Sequence, residues 1–153
     1  MYNWLNEPVI KAELHVNASK HWANCNGEVS SRYQKNPEQS YPLYKQLIKE
    51  KLRIWVVSGD HDADVPITGT LTWLEQLREE ANLAVEYPWN EWWIKGVHKF
   101  EDQVAGMTWG LRGLKFVSIR AAGHMAHRDQ RQASWVMIDS FLKGNELPTK
   151  DLF

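Results

Sequence analysis

The sequence predicts an α/β fold, with a mixed sheet and helices on its faces, and three observations lead to this prediction. Residues 52–58 form a short, β-branched and nearly continuous apolar run, which is typical of a buried parallel strand. Residues 103–109 and 114–119 are two further predicted strands on either side of a glycine-containing turn, which indicates a hairpin. Helical patterns precede and follow these strands, so helices and strands alternate along the chain.

Three helices are predicted before the hairpin. Asn6 as the N-cap and Pro8 in the first turn predict a helix that continues to about Val16. Residues 44–51 predict a short helix that leads into the first strand. Residues 68–80 predict a helix after that strand, with its leucines toward one face.

The last helix is predicted at 130–142, and Gly144 closes it. Its inward face is formed by residues that recur at helical spacing, namely Ala133, Val136, Met137, Ser140 and Phe141. Residues 17–40 are polar and irregular, and the aromatic-rich segment 82–102 receives no assignment.

Composition and charge exclude several classes of function. The net charge is -1 and basic residues are interspersed with acidic ones, so the clustered basic surface that nucleic-acid binding needs is missing. No apolar run approaches the roughly 20 residues of a membrane span, and the first residues do not resemble a signal peptide. Cys25 is the one cysteine, so it is either a free buried thiol or bonded to a second chain.

Tryptophan is frequent in this chain, with nine residues in 153. Each indole needs a large apolar surface and a partner for its N–H. The cluster of Trp89, Trp92 and Trp93 is interpreted as packing, or as the lining of a cleft or interface. So many large aromatic side chains indicate that the chain packs against something else.

The loop after the first strand carries three alternating carboxylates, Asp60, Asp62 and Asp64. A calcium-binding EF-hand is rejected, because its sixth and twelfth positions would hold Val65 and Leu71 instead of Gly and Glu. An Asp at a strand end can instead orient a catalytic histidine and stabilise its imidazolium. The alternative is that these carboxylates form Asx-turns or solvate the loop.

The loop before the last helix carries His124 and His127. A zinc site is disfavoured, because no HExxH motif and no third ligand are present. A strand-end Asp followed about 60 residues later by a loop His is the order found at the end of an α/β-hydrolase, whose triad runs Ser, Asp, His. No G-x-S-x-G motif occurs, so we expect 1–153 to be the C-terminal portion of one such domain, without its nucleophile-bearing portion.

Several motifs resemble the serine carboxypeptidase family, and the likeness covers nearly the whole chain in the right order. Ile-Trp-Val-Val-Ser-Gly-Asp-His-Asp at 54–62 is similar to that family's strand and catalytic-aspartate loop. Ile-Arg-Ala-Ala-Gly-His-Met at 119–125 is similar to its catalytic-histidine loop. Trp-Leu-Asn-Glu-Pro at 4–8 and Trp-Ala-Asn-Cys-Asn at 22–26 are further matches.

The resemblance implies a role for five residues. Asp62 would orient His124, which would take the proton from a serine on a separate N-terminal segment. Met125 would line the substrate pocket, and Cys25 would form a disulfide with that segment. Asn17, in an Asn-Ala-Ser sequon, would be glycosylated. The chain would then be the smaller chain of a two-chain hydrolase that is vacuolar, lysosomal or extracellular. The resemblance implies no metal or cofactor. It also allows two such heterodimers to form a dimer.

The chain departs from the family pattern in the histidine loop. His127 and Arg131 stand where the family usually has proline, and Ala121 stands where it has glycine. Because proline fixes φ, its loss is expected to loosen the loop backbone. Family members work in acid, so we also expect neighbouring groups to hold the pKa of His124 below its usual value of about 6.5.

Three functions remain in view. The first is release of C-terminal residues from peptides through an acyl-enzyme. The second is acyl transfer or hydroxynitrile cleavage on the same scaffold, because a fold does not determine a reaction. The third is a non-catalytic remnant that serves as a binding or structural subunit. We also expect a chain of this kind, on its own, to leave a sheet edge open.

Overall fold

The computed structural model describes residues 1–34, 40–96 and 102–152. The chain divides into two compact units, Met1–Glu38 and Gln39–Phe153. Within the described residues, no helix combines the length and apolarity needed to cross a membrane.

Over residues 1–34, the described part of the N-terminal unit contains three short helices, α1 (Tyr2–Leu5), α2 (Pro8–Glu13) and α3 (Gly27–Arg32). Pro8 opens α2 as expected, but the helix is shorter than predicted because its C-cap is already Leu14. The α3 helix begins after Asn26, whose side chain accepts a hydrogen bond from a backbone N–H of the first turn.

The prediction that Asn6 is the N-cap of α2 is wrong, since Glu7 holds that position. The Asn6 amide instead accepts a hydrogen bond from the Trp22 N–H at 2.8 Å and donates one to the Trp22 carbonyl at 2.9 Å. An asparagine before a helix can either cap that helix or bind the backbone of a distant segment, as Asn6 does. The local sequence is the same in both cases, so it does not distinguish them.

The described residues of the C-terminal unit form a four-stranded sheet in the order β1-β4-β3-β2. Its strands are β1 (Trp55–Gly59), β2 (Val85–Ile94), β3 (Gln103–Leu111) and β4 (Leu114–Ile119). The β1 and β4 strands are parallel, and the other two pairs are antiparallel. This confirms both the mixed sheet and the β3–β4 hairpin.

The β2 strand lies in the segment for which no prediction was made. It occupies the sheet edge opposite β1, and its first seven residues are exposed. Its pairing with β3 contains three register shifts, which disturb the period-two alternation that identifies a strand in sequence. Pro88 lies within it, as edge strands allow. Trp92 is buried near its end and donates its indole N–H to the Ser118 carbonyl at 2.9 Å.

In the described part of this unit, four α-helices accompany the sheet, α4 (Leu43–Lys49), α5 (Ile67–Glu80), α6 (Ala126–Asp129) and α7 (Arg131–Lys143), and a 3₁₀ turn follows at Lys150–Leu152. The α7 helix matches its prediction closely. On its predicted inward face Ala133, Met137 and Ser140 are buried and Val136 and Phe141 are half-buried. Gly144 ends the helix in the left-handed conformation with a φ of 73°.

The core lies on both faces of β4, all six of whose residues are buried. Val117 and Ile119 join a cluster that includes Met137 of α7. Phe116 joins the other cluster, which includes Leu74 of α5. Because side chains alternate along a strand, β4 supplies both clusters and fixes the sheet between its helices.

The β1 strand is shorter and more exposed than predicted. It begins at Trp55, and Val57 in its middle is 39% exposed. Within the described residues β1 pairs with β4 alone, so its outer edge has no neighbouring strand. The open sheet edge that we expected is therefore present. The prediction that β1 is a fully buried strand is wrong, because Val57 is partly exposed.

Candidate active site

Two loops meet at one end of the sheet because β1 and β4 are parallel neighbours. Gly59, at the end of β1, lies opposite Ile119, at the end of β4. The loops that follow these residues carry Asp62 and His124. Functional groups commonly gather at the carboxyl ends of parallel strands, and this pairing brings together residues 62 positions apart.

Asp62 and His124 are in direct contact. Nδ1 of His124 lies 3.0 Å from Oδ2 of Asp62, where a protonated Nδ1 donates to the carboxylate. The Asp62 side chain is only 8% exposed, whereas that of His124 is 54% exposed. A buried carboxylate thus holds one ring nitrogen and leaves Nε2 on the accessible side, which is the arrangement of a histidine prepared to act as a general base.

The second oxygen of Asp62 binds its own loop. Oδ1 accepts hydrogen bonds from the backbone N–H groups of Asp64 at 2.8 Å and Val65 at 3.0 Å. The Asx-turn interpretation therefore holds for this residue, while its other oxygen contacts His124. The Val65 N–H, ahead of the His124 hydrogen bond, lowers the pKa of Asp62, so the carboxylate stays ionised.

Asp60 fastens the two loops together, a role that the sequence reasoning missed. Its Oδ1 accepts a hydrogen bond from the Ala121 N–H at 2.6 Å. The backbone N–H groups of Asp60 and His61 donate to the carbonyls of Ile119 and Ala122 at 3.1 and 2.9 Å. These three bonds continue the β1–β4 contact past the ends of the strands.

Gly59 allows the loops to approach this closely. A Cβ at this position would lie 2.3 Å from the Ala122 carbonyl oxygen and 2.5 Å from that of Gly123. Both obstacles are backbone atoms, which cannot move aside without shifting the histidine loop. A glycine at the end of a strand and before an acidic loop is the sequence signal that could have identified this role.

The histidine loop is anchored at several points. Ala121 has a φ of 55°, in the left-handed region that favours glycine. The Gln130 side chain donates to the Ala121 carbonyl at 3.2 Å. Oδ2 of Asp129 accepts from the Gly123 N–H at 2.9 Å. These bonds hold the loop despite the absence of the two prolines.

The surroundings of His124 raise its pKa. The hydrogen bond to Asp62 is the main cause, and the charge of the same carboxylate adds to it. Asp64 contributes a smaller increase, since its Oδ2 lies 3.6 Å from Nε2. Within the described residues the shift is thus opposite to the expected one, because the neighbouring charges are negative and stabilise the imidazolium.

The remaining candidates of this loop are accessible. Met125 is exposed and forms the N-cap position of α6, directly after His124. His127 is exposed on α6, and no hydrogen bond or ion pair of its side chain is found among the described residues. Of the two histidines of this loop, His124 is therefore the one that contacts a carboxylate.

Cys25 and Asn17 lie in the N-terminal unit. Cys25 is a free, exposed thiol that lines an open cavity of about 1440 Å³ together with residues such as Trp22 and Val29. The Asn17 side chain is exposed, and its Oδ1 accepts hydrogen bonds from the N–H and the hydroxyl of Ser19 at 2.9 and 2.8 Å. Across the described ranges, no cluster of three or more His, Cys, Asp or Glu is arranged to hold a metal ion.

Known proteins are similar to this chain over nearly all of its length. Putative serine carboxypeptidase-like 23 of Arabidopsis thaliana is 38% identical over 148 residues, covering 95% of this chain and 30% of the relative. P-(S)-hydroxymandelonitrile lyase of Sorghum bicolor is 30% identical over 153 residues, covering 97% and 29%. The chain therefore spans about 30% of the length of these curated relatives.

A solved structure supports the fold. Kex1(delta)p, a prohormone-processing carboxypeptidase from Saccharomyces cerevisiae, superposes with a TM-score of 0.69 at 24% identity, over 92% of this chain and 30% of that one. The family model described as serine carboxypeptidase matches residues 1–144. These findings confirm the resemblance that the two loop motifs indicated, and the chain belongs to the serine carboxypeptidase family.

Proposed function

We propose that this chain supplies the catalytic Asp and His of a serine-type carboxypeptidase and acts with a segment that carries the nucleophilic serine. The observation that supports the proposal is the contact between a nearly buried Asp62 and a half-exposed His124. The ring is oriented through Nδ1, so Nε2 is the atom available to a serine hydroxyl. Membership of a family of hydrolases supports the same reaction class.

The chemistry follows from the two ring nitrogens of His124. Nε2 takes the proton from the serine as its oxygen attacks the carbonyl of the C-terminal peptide bond, and then gives this proton to the leaving amine. Water repeats the sequence on the acyl-enzyme, with His124 again as the base. Asp62 stays ionised throughout and stabilises the imidazolium, as its lowered pKa allows.

The open edge of β1 supports the need for a further segment. An unpaired edge strand with an exposed Val57 is a surface that soluble proteins usually cover. The outer face of α7 is also apolar and exposed, at Trp135, Ile138 and Leu142. We propose that strands of the serine-bearing segment pair with β1, in one domain of which 1–153 is the C-terminal portion.

Cys25 and Asn17 suit the same proposal. An exposed thiol beside an open cavity is accessible to a cysteine of the partner segment. An exposed sequon asparagine is accessible to glycosylation in the secretory pathway. We therefore propose an interchain disulfide, a glycan, and a vacuolar, lysosomal or extracellular location. Met125, exposed beside His124, would line the substrate pocket.

The decisive experiment is a mass measurement on the native protein, with and without reductant, combined with a peptidase assay. A two-chain enzyme gives a larger species that reductant separates into this chain and a heavier one, and it releases C-terminal residues from blocked dipeptides. A lone species of 17.9 kDa without hydrolase activity would contradict the proposal and favour a non-catalytic subunit.

A second candidate reaction is hydroxynitrile cleavage, because a Sorghum bicolor relative named as a hydroxynitrile lyase is 30% identical across the chain. The same base would then accept the hydroxyl proton of a cyanohydrin. The same preparation should be assayed with a blocked dipeptide, an aromatic cyanohydrin and a glucose ester. Turnover of the cyanohydrin or the ester without peptide hydrolysis would replace the carboxypeptidase by a lyase or an acyltransferase.

A further inference from the structure

The chain returns to the sheet after α7. The Asn145 N–H donates to the Ser140 carbonyl at 2.9 Å, which closes the end of the helix. The next three residues contact the sheet through a charge, an apolar side chain and a backbone carbonyl. Residues 145–148 are called the C-terminal clip below. The family match ends at residue 144, so the clip lies beyond it.

The first anchor of the clip is the ion pair between Glu146 and Lys115 of β4. The Lys115 side chain is only 7% exposed, and its Nζ lies 4.8 Å from the centre of the Trp55 ring and 5.3 Å from that of Tyr87. A buried ammonium group needs an anion, and Glu146 supplies it. Detachment of the clip would therefore leave Lys115 without this partner.

Two further anchors follow along the clip. Leu147 is 4% exposed and belongs to the core cluster that also contains Val117 and Met137. The Pro148 carbonyl accepts a hydrogen bond at 2.8 Å from the backbone N–H of Trp93 on the edge strand β2. The clip is thus bound as sheets bind peptides, by backbone hydrogen bonding at an edge and by side chains in pockets.

The contacts weaken beyond Pro148. Thr149 is half-buried, and residues 150–152 form the 3₁₀ turn. Nζ of Lys150 lies 5.4 Å from the centre of the Trp93 ring, but Lys150 is exposed. A cation–π contact at an exposed site is weak. Firm anchoring on the C-terminal side therefore ends at Pro148.

We propose that the C-terminal clip protects the chain against exopeptidases, so that trimming from the C-terminal side stops at residue 148. An exopeptidase needs an accessible chain end, and the three anchors must detach before it can release Leu147. The rate of this release follows the population of the detached state. The inference does not rest on the proposed function, since any exopeptidase meets the same anchors.

The test follows intact mass while the native protein is incubated with a mixture of zinc carboxypeptidases. An inhibitor of serine hydrolases silences any activity of the protein itself. Because proline resists such enzymes, every sample carries Pro148→Ala, which keeps the backbone carbonyl that Trp93 binds. A free peptide of residues 139–153 with the same substitutions gives the unprotected rate. The protection ratio is the rate of release of residue 147 from the peptide divided by that from the protein.

The protection ratio should be at least about 100, which corresponds to detachment of the clip about 1% of the time. Lys115→Met, which keeps the stem and removes the charge, and Glu146→Gln should each lower the ratio about tenfold. The double variant should lower it no further, because both substitutions remove the same ion pair. Leu147→Ala should lower the ratio about 30-fold.

The matched control is Lys143→Met. Lys143 also pairs with a carboxylate, that of Asp139 at 2.9 Å, but both residues lie on α7. Its protection ratio should equal that of the parent protein. Tryptophan fluorescence in urea checks that each variant is folded. Since the Glu146 side chain is 74% exposed, Glu146→Gln remains a test even where Lys115→Met fails to fold.

Two results would overturn the inference. A protection ratio below about three in the folded parent protein shows that the clip does not hold the chain end. A high ratio that stays unchanged in Leu147→Ala and in Glu146→Gln shows that these anchors are not what retains it.

Discussion

Oδ1 of Asp60 accepts a hydrogen bond from the backbone N–H of Ala121 at 2.6 Å, and this bond joins the aspartate loop to the histidine loop. Ala121 has a φ of 55°, in the left-handed region. The bond acts three residues before His124 and two residues before Asp62. It therefore links the two loops close to the contact between Asp62 and His124.

Asp60→Ala should weaken both stability and activity. Loss of a charged acceptor costs about 1.5 kcal/mol of unfolding free energy, at the lower end of the usual range because a third of the side chain is exposed. A displacement of His124 by about 1 Å would lower kcat/KM about 100-fold. Urea unfolding and steady-state kinetics measure the two effects.

A matched control for Asp60→Ala is Asp139→Ala. Asp139 pairs with Lys143 on the surface of α7, an interaction worth less than about 0.5 kcal/mol. The Asp139→Ala variant should therefore have the same kcat/KM as the wild type. Equal kinetic losses in both variants would show that Asp60 does not position the histidine loop.

His124→Ala and Asp62→Asn should abolish most activity of the assembled enzyme, and His127→Ala should not. Removal of the base or of the carboxylate that orients it lowers kcat by about 10⁴-fold in enzymes with this chemistry. His127 has no described partner to orient it, so its loss should change kcat less than threefold, within about 0.7 kcal/mol. Similar losses in the two histidine variants would mean that the base is wrongly assigned.

The Asp62–His124 pair should make stability depend on pH in a defined window. The pKa of His124 is raised, so its contribution is complete below the unfolded value of about 6.5 and is lost as pH rises through the folded pKa. The pKa of Asp62 is lowered, so its contribution is complete above about 3.9 and is lost as pH falls through the folded pKa. The coupling is therefore greatest between about pH 4 and 6.5.

A double-mutant cycle isolates this coupling. Unfolding free energies are measured from pH 3 to 9 for wild type, Asp62→Asn, His124→Gln and the double variant. The coupling free energy should form a plateau in the window and decline on either side. A coupling that does not change with pH would show that the two side chains do not meet as an ion pair in solution.

Ala121→Gly should stabilise the protein. A non-glycine residue in the left-handed conformation costs about 1–2 kcal/mol of unfolding free energy. Glycine removes this cost, but its greater entropy in the unfolded state offsets about 0.5–1 kcal/mol of the gain. The expected gain is about 0.5–1 kcal/mol, measured by urea unfolding. The neighbouring Ala122→Gly is the control. Ala122 is fully buried, so removal of its methyl group should lower the unfolding free energy of the protein. A destabilised Ala121→Gly would contradict the strain assigned to this position.

Arg131→Pro should also stabilise, whereas His127→Pro should not. Arg131 is the first residue of α7, where the N–H has no intrahelical partner, and Gln130 before it is non-helical at φ -128° and ψ 69°. The expected gain is about 0.4–1 kcal/mol. His127 follows Ala126, which is already helical in α6 and which a proline would disfavour. Comparison of the two melting temperatures checks this order.

Much of the site could be predicted from the chain itself. The apolar run before Gly59 identifies β1, and the helical spacing of Ala133 and Met137 identifies α7, because backbone periodicity is written in neighbouring residues. The order of Asp62 and His124 predicted that these two side chains meet, as they do at 3.0 Å, since each loop follows or precedes an element that pattern alone reveals.

Other features depended on the tertiary structure. The exposed, irregular β2 has no clear period, so its pairing with β3 became visible only in the sheet. The fastening role of Asp60, the close approach at Gly59 and the contact of Asp64 with His124 all join segments about 60 residues apart. Such contacts arise when β1 and β4 pair in parallel, and no local pattern records which side chain will then face which backbone amide.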